Sequence, residues 1–396
     1  MYKRQVLDAT IGENRRDDGL YHSYNLLSLS PDGRSASVRR LYPMLEGQVA
    51  VLGSGAVGPA DAPALVDALF ESDMYRQDQR SFMLYPERQL PLFLDRNVVP
   101  EDEAAAVPLL RELLAAGDAS ILSRDAEGTC RFNGDLGTAA DVAAALDRLA
   151  ADPRWAARVA ADRRKVIGLF ERVFDHASFT GRSGTMYKYE GLGCIYWHMV
   201  SKLLLAVQET ALAAIRDGRP RGEIDAVVDA YYRIRSGLSF EKSVAEYGAF
   251  PTDPYSHTPP RGGAKQPGMT GQVKEEIVAR WGELGVVVED GMVAFRPRFL
   301  RRGEFLEAPA AWLYRGPDGG LRSLDLPAGA LAFTCCGVPV IYEATPGDAR
   351  LHVRREGGRI IERDGDRLDL AESEALFRRQ GGIERIDVLV PEESLR

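Results

Sequence analysis

Up to Gly285 the apolar residues of this chain recur at helical spacing; from Val286 onward they come as short β-forming runs between glycine turns. One regular architecture cannot satisfy both patterns, so the change of period divides the chain in two. In the second region, "VVVEDGMVAFRPRFL", "ALAFTCCGVPVIYEA", "LHVRREGGRIIERDGDRLDL" and "IERIDVLVP" set β-formers between Asp-Gly and Gly-Gly turns. Residues 286–396 are therefore predicted to form a C-terminal all-β domain, a β-sandwich. Residues 1–285 are predicted to be mainly α. Helices are expected in "PADAPALVDALFES", from about Glu101 to Ala116, from Thr138 to Ala151, and in "DPRWAARVAADRRKVIGLFERVFDHASF", "EIDAVVDAYYRIRSGL" and "GQVKEEIVARWGELG". From Val6 to Asp32 the sequence instead predicts a polar loop, a short strand-like segment and a turn at Pro31-Asp32-Gly33.

Composition narrows the functional classes. With 396 residues and 45% hydrophobic content the chain can bury a large core. Its net charge of -8, with Arg and Asp/Glu interspersed, offers no basic face for a phosphate backbone, so nucleic acid is not expected as a partner. No membrane is expected either, because no uninterrupted apolar run approaches the ~20 residues that cross a bilayer. Four cysteines, Cys130, Cys194, Cys335 and Cys336, lack metal-site spacing and suit a reducing cytoplasm, and neither a metal nor a cofactor is expected. Residues 1–5, "MYKRQ", match the translated end of a common sequencing-library adapter and are set aside from fold reasoning. On that reading the chain is the rear part of a longer protein, and the missing N-terminal part is one of its partners.

Chemistry concentrates in the loops. "YEGLGCIYWHMVSKLLLAVQE", Tyr189 to Glu209, opens on glycines and continues as a helix apolar around most of its circumference. Glu190 stands before that helix and His198 near its start, where an imidazole and the positive end of a helix dipole favour an anion or a sugar hydroxyl. The same residues would also serve as an electrostatic cap and a satisfied core histidine. "FTGRSGTMYKYEG" adds Arg182 for an anion and Tyr189 as a stacking face; "EYGAFPTDPYSHTPPRGGAKQPG", too long for a mere connector, adds Asp253 and His257 as a substrate-site wall. "MYRQDQRSFMLYP" brings Arg76, Asp78 and Gln79, which suit either sugar hydroxyls or an internal ion-pair network.

The paired helices, long polar loops and trailing β-domain resemble an (α/α)6 toroid of the six-hairpin glycosidase type, incomplete at its N-terminus. "EGLGCIYWH" is similar to the "ENGGIF-C-H" stretch of the cellobiose and chitobiose phosphorylase family, with one more residue between glutamate and histidine and no asparagine. "QPGMTGQVKEEIVARWGELGVVVEDGMVAFRPRFL" resembles that family's "LTGTA" helix start and its passage into the C-terminal β-domain. The resemblance implies that His198, Thr270 and Gly271 hold inorganic phosphate. Thr270 is equally an ordinary N-cap, and Gln272 stands where the family has a small residue. The family's general acid, an aspartate in "DWNDG", has its counterpart in "NRRDDGLYHSYN", where Asp18-Gly19 matches but the acid's own position falls on Arg15. Asp17, Asp18 and Glu13 are the candidate acids, with Glu190 as a further catalytic carboxylate.

Three activities follow from these expectations. The first is inverting phosphorolysis or transfer of a glycosidic bond in a disaccharide or oligosaccharide, with phosphate as co-substrate. The second is inverting hydrolysis on the same scaffold, using a carboxylate to activate water. The third is a non-catalytic carbohydrate-binding part of a larger protein.

Overall fold

The computed structural model describes residues 2–30, 32–86, 92–175, 195–238, 241–247, 257–258 and 271–396. In chain order the first elements are α1 (Tyr2–Glu13), β1 (Asn25–Leu29), β2 (Ala36–Arg40), α2 (Leu45–Gly53), α3 (Ala62–Glu71), β3 (Tyr75–Arg76) and β4 (Ser81–Phe82). Then come α4 (Phe93–Arg96), α5 (Glu101–Ala105), α6 (Pro108–Ala115), β5 (Leu122–Arg124), β6 (Cys130–Phe132), α7 (Ala139–Ala150) and α8 (Pro153–Phe174). After these follow β7 (Ile195–Tyr196), α9 (Trp197–Arg216), α10 (Arg221–Arg235), α11 (Val244–Tyr247), β8 (His257–Thr258) and α12 (Gly271–Leu284). The chain divides into two compact units, Arg88–Glu190 and the combination of Met1–Glu87 with Gly191–Arg396.

Within Arg88–Glu190, α6, α7 and α8 surround the β5–β6 hairpin with one core of Leu109, Leu110, Leu146, Val166, Phe132 and Phe170. The predicted helix from Glu101 to Ala116 is interrupted at Val107. That residue is extended (φ -104°, ψ 105°) because the following Pro108 disfavours a helical conformation before it and contributes no N–H. Asp152 starts α8 by accepting from the Arg154 N–H at 2.9 Å.

In the other unit α9 is the central helix, packed on α2, α10 and α12. Trp197, Val200, Leu203, Leu204, Val207 and Ala211 are buried along it. By length and composition alone α9 could cross a membrane, a property missed by the search for an uninterrupted apolar run. Its apolar residues instead fill this core. At the front of the unit the structure corrects the expected loop, because α1 extends to Glu13 and only then does the chain turn into the β1–β2 hairpin.

Gly285 ends α12 with φ +67°, and a Cβ there would stand 2.1 Å from the Arg296 carbonyl carbon. The strands that follow are β9 (Val286–Glu289), β10 (Met292–Phe295), β11 (Ala310–Arg315), β12 (Leu321–Leu326), β13 (Ala330–Cys335), β14 (Val338–Thr345), β15 (Arg350–Arg355) and β16 (Ile360–Asp364). The region closes with α13 (Leu370–Arg378) and β17 (Ile383–Pro391). Five strands form one sheet in the order β13-β14-β17-β15-β16, in which β14 and β17 run parallel. One core joins Val340, Tyr342, Val353, Ile386 and Val388 to Val293 and Phe295 of the β9–β10 hairpin and Leu376 of α13. Because side chains alternate along a strand, Ile341 points the other way, into a second cluster with Leu306, Trp312, Leu324 and Leu326 beside the β11–β12 hairpin. The all-β expectation is therefore corrected by α13. Its start carries a full capping box: Asp369 accepts from the Glu372 N–H, and Glu372 accepts from the Asp369 N–H.

Candidate functional site

The start of α9 is assembled by backbone pairing. Met83, just past β4, bridges Ile195, and β7 pairs with β8 so that Tyr196 lies opposite His257. His198 then falls in the first turn of α9. Its Nε2–H donates to Glu275 Oε1 at 3.2 Å, across from the first turns of α12. Both side chains are mostly buried, 20% and 14% exposed, and the Tyr196 ring meets the imidazole edge-on at 5.8 Å. Glu275 Oε2 is buried and finds no hydrogen-bond partner among the described residues. The imidazole–carboxylate pair thus joins the first turn of α9 to the second turn of α12. Helix starts present unpaired N–H groups and partial positive charge, and this arrangement has the polarity to receive an anion.

A second buried polar group packs on Trp197, the residue before His198. Lys242, 4% exposed, directs Nζ at the Gln79 carbonyl (2.7 Å) and Gln79 Oε1 (2.9 Å), and stands 5.1 Å from the centre of the Trp197 ring. Gln79 Nε2–H in turn donates to the Glu246 carbonyl at 3.0 Å, and Arg80 pairs with the Glu246 carboxylate at 3.1 Å. Gly237 lets the end of α10 close on this hairpin, since a Cβ there would stand 2.0 Å from the Arg80 carbonyl oxygen. Gln79 is occupied within the fold and Arg76 pairs with Asp78 at 2.5 Å, so the internal-network reading of this segment describes it.

Burial, reinforced by Arg80, pushes the Lys242 ammonium down to about 8 from its ordinary 10.5. The folded chain therefore releases this proton first, and between those values the unfolded chain holds more protons. Stability from this group rises with pH across that window. Lys242→Met strands two buried oxygens of Gln79 and is expected to cost about 1–3 kcal/mol in a urea melt at pH 7. The rise in stability from pH 8 to 10.5 should disappear in the same variant.

The structure distributes the remaining predicted residues unevenly. Glu190, Arg182, Tyr189, Asp253 and Thr270 lie outside the described residues. His257, Gly271 and Gln272 are placed by backbone alone, the first opposite Tyr196 and the others as the first two residues of α12. Glu13, Asp17 and Asp18 are exposed, on the last residue of α1 and in the turn after it. That turn is tied to α2 through Gln48, which accepts from the Tyr21 N–H and donates to the Tyr21 carbonyl, both at 2.8 Å. Asp18 accepts from Arg16 at 2.8 and 3.0 Å and from the Leu20 N–H at 3.1 Å. The Arg16 hydrogen bond holds this carboxyl below the ordinary aspartate value. A general acid works with the opposite shift, so Asp18 would serve only with Arg16 drawn away from it. Motif and pattern missed Glu275 in the candidate site and Lys242 in the buried network next to Trp197. "VKEEIV" reads as the polar face of a helix, and "FEKS" as an ordinary charged connection.

Among the described residues no group of three or more His, Cys, Asp or Glu side chains could hold a metal. Residues 90–177 match the family model described as GH149 phosphorylase insertion domain 2. The match falls within the Arg88–Glu190 unit and supports a relationship to GH149-type phosphorylases for a minority of the chain. No curated protein matches the chain.

Proposed function

We propose that the protein is an inverting glycoside phosphorylase acting on a disaccharide or oligosaccharide, with the helical region as part of an (α/α)6 toroid. The observation that carries this reading is the His198–Glu275 contact. It sets side by side the two helix starts whose sequences resemble the phosphate-holding histidine and Thr-Gly segments of the cellobiose and chitobiose phosphorylase family. The insertion-domain match of residues 90–177 supports the same reaction class.

In this reaction a phosphate oxygen bonds to the anomeric carbon from one face while the glycosidic C–O bond breaks on the other. The departing oxygen takes a proton from a carboxylic acid. His198, with Gly271 and Thr270, would hold the phosphate, and the imidazole kept in place by Glu275 would, in its doubly protonated form, supply a donor from Nδ1. Arg182, Tyr189, Asp253, His257 and Gln272 remain proposed substrate and phosphate contacts, and Asp18, Asp17, Glu13 and Glu190 proposed carboxyl groups.

Hydrolysis is the second reading, favoured by one feature. Glu275 presents a buried carboxylate oxygen without a partner among the described residues, as a base for water would. Incubation with α- and β-linked disaccharides, with and without inorganic phosphate, separates the two. Phosphorolysis is expected to yield sugar 1-phosphate only when phosphate is present. Equal release of free sugars in both conditions would overturn it in favour of hydrolysis.

A further inference from the structure

α9 leaves one stripe incompletely covered. His198, Lys202 and Leu205 are half-buried and Glu209 is exposed, at i, i+4, i+7 and i+11 spacing, whereas Val200, Leu203, Leu204 and Val207 are buried. Lys202 therefore stands one turn after His198 on the same side of the helix, about 6 Å of rise and about 40° of rotation away. A helical side chain leans back towards the N-terminus, and the lysine stem is long and flexible, so its ammonium can reach the turn that carries His198. No hydrogen bond or ion pair among the described residues takes up that ammonium. Lys242, by contrast, has Gln79 Oε1 as an acceptor at 2.9 Å.

The charge balance of the site gives this group a use. When the imidazole is doubly protonated and donates from Nδ1, the Glu275 carboxylate at its Nε2 cancels its charge. What then remains for an anion is the partial charge of the helix starts, about half an elementary charge each, which is less than a phosphate dianion carries. We propose that Lys202 is a phosphate-binding residue of the candidate site, supplying the full positive charge that the His198–Glu275 pair lacks. The proposal rests on the phosphorolysis reading of that site and adds to it a residue that neither motif nor resemblance marks.

The test measures binding of inorganic phosphate by calorimetry, and the KM values for phosphate and disaccharide, in the wild-type protein, Lys202→Gln, Lys202→Met and Lys202→Arg. In the two neutral variants the Kd and KM for phosphate are expected to rise about 10–100-fold, the effect of losing one hydrogen bond to a charged group. The KM for the disaccharide should hardly move, and the arginine variant, which keeps the charge, should lose less than either neutral one. Phosphate affinity equal to wild type in a folded neutral variant overturns the proposal and leaves Lys202 a solvated lysine; phosphate-dependent sugar 1-phosphate from the wild type would still uphold phosphorolysis. A wild type that neither binds phosphate nor needs it for turnover overturns both. If one neutral variant unfolds, the other decides.

Discussion

Replacing His198 by Ala is expected to reduce phosphorolysis by about 10²–10³-fold, the usual effect of removing one preorganised donor from a developing or bound oxyanion. His198 is fixed at the first turn of α9 by its hydrogen bond to Glu275, so its ring does not have to be ordered when an anion arrives. Removing it also leaves Glu275 Oε1 without its donor, and part of the loss in the alanine variant would come from that second unpaired oxygen. His198→Gln separates the two effects, since its amide can still donate to Glu275 but presents no second ring nitrogen to phosphate. The expected result is a glutamine variant with a wild-type melting temperature, a raised KM for phosphate and a KM for the sugar that hardly moves. An unchanged phosphate KM in both variants would remove His198 from the phosphate site.

The largest effect on stability is expected from Glu283→Ala, about 3–5 kcal/mol, because it breaks a buried ion pair from one side only. Glu283 is 1% exposed and accepts from Arg235 Nε at 3.0 Å, from Tyr231 Oη at 2.5 Å and from Arg280 Nη1 at 2.5 Å. Arg235 is itself 2% exposed and also reaches Glu276 at 3.5 Å. Without Glu283 the interior guanidinium of Arg235 and the phenol of Tyr231 both lose the carboxylate they donate to. Burial, followed by the Glu283 charge, already pushes the Tyr231 phenol well above its ordinary value, so it cannot take over the negative charge. The network extends to Gln208 on α9, whose Nε2–H donates to the Ala279 carbonyl at 2.6 Å, so α9, α10 and α12 should loosen together. Urea melts of Glu283→Ala and of the double variant Arg235→Met/Glu283→Leu measure this. The double variant is expected to lose much less than the single one, because the two most deeply buried charges leave together and Arg280 keeps Glu304 as a partner. Equal losses would show that packing volume, and not the unpaired charge, carries the effect.

The same network shows where sequence reasoning stops. α9 was legible because leucines, valines and alanines recur at helical spacing in "WHMVSKLLLAVQETALAAIR", and α12 because Gly285 stops it. Glu283 and Arg235 were not, since charges in the last turns of helices ordinarily face water. Only the packing of three helices shows that these two are interior. α13 carried a readable signal in "DLAESEALF", where Asp and Glu stand three apart before a helical run, but alternating strands on either side masked it. Residues 88–190 form their own unit without announcing it, because their helices have the same amphipathic period as those before and after.

For the site, His198 was legible from its position after a glycine-rich stretch. Glu275 was not, because its partner lies 77 residues away in sequence and no local pattern connects them. Lys242 shows the same difficulty in another form: a lone lysine between polar residues reads as solvated until Gln79 and Trp197 are seen to enclose it.

Labelled phosphate tests the proposed chemistry most directly. The protein is incubated with a cleaved disaccharide and phosphate carrying oxygen-18 at all four positions, and the products are weighed by mass spectrometry. Direct attack of phosphate on the anomeric carbon predicts sugar 1-phosphate that retains all four labelled oxygens. Unlabelled free sugar at both ends of the broken bond, with the phosphate untouched, would contradict it.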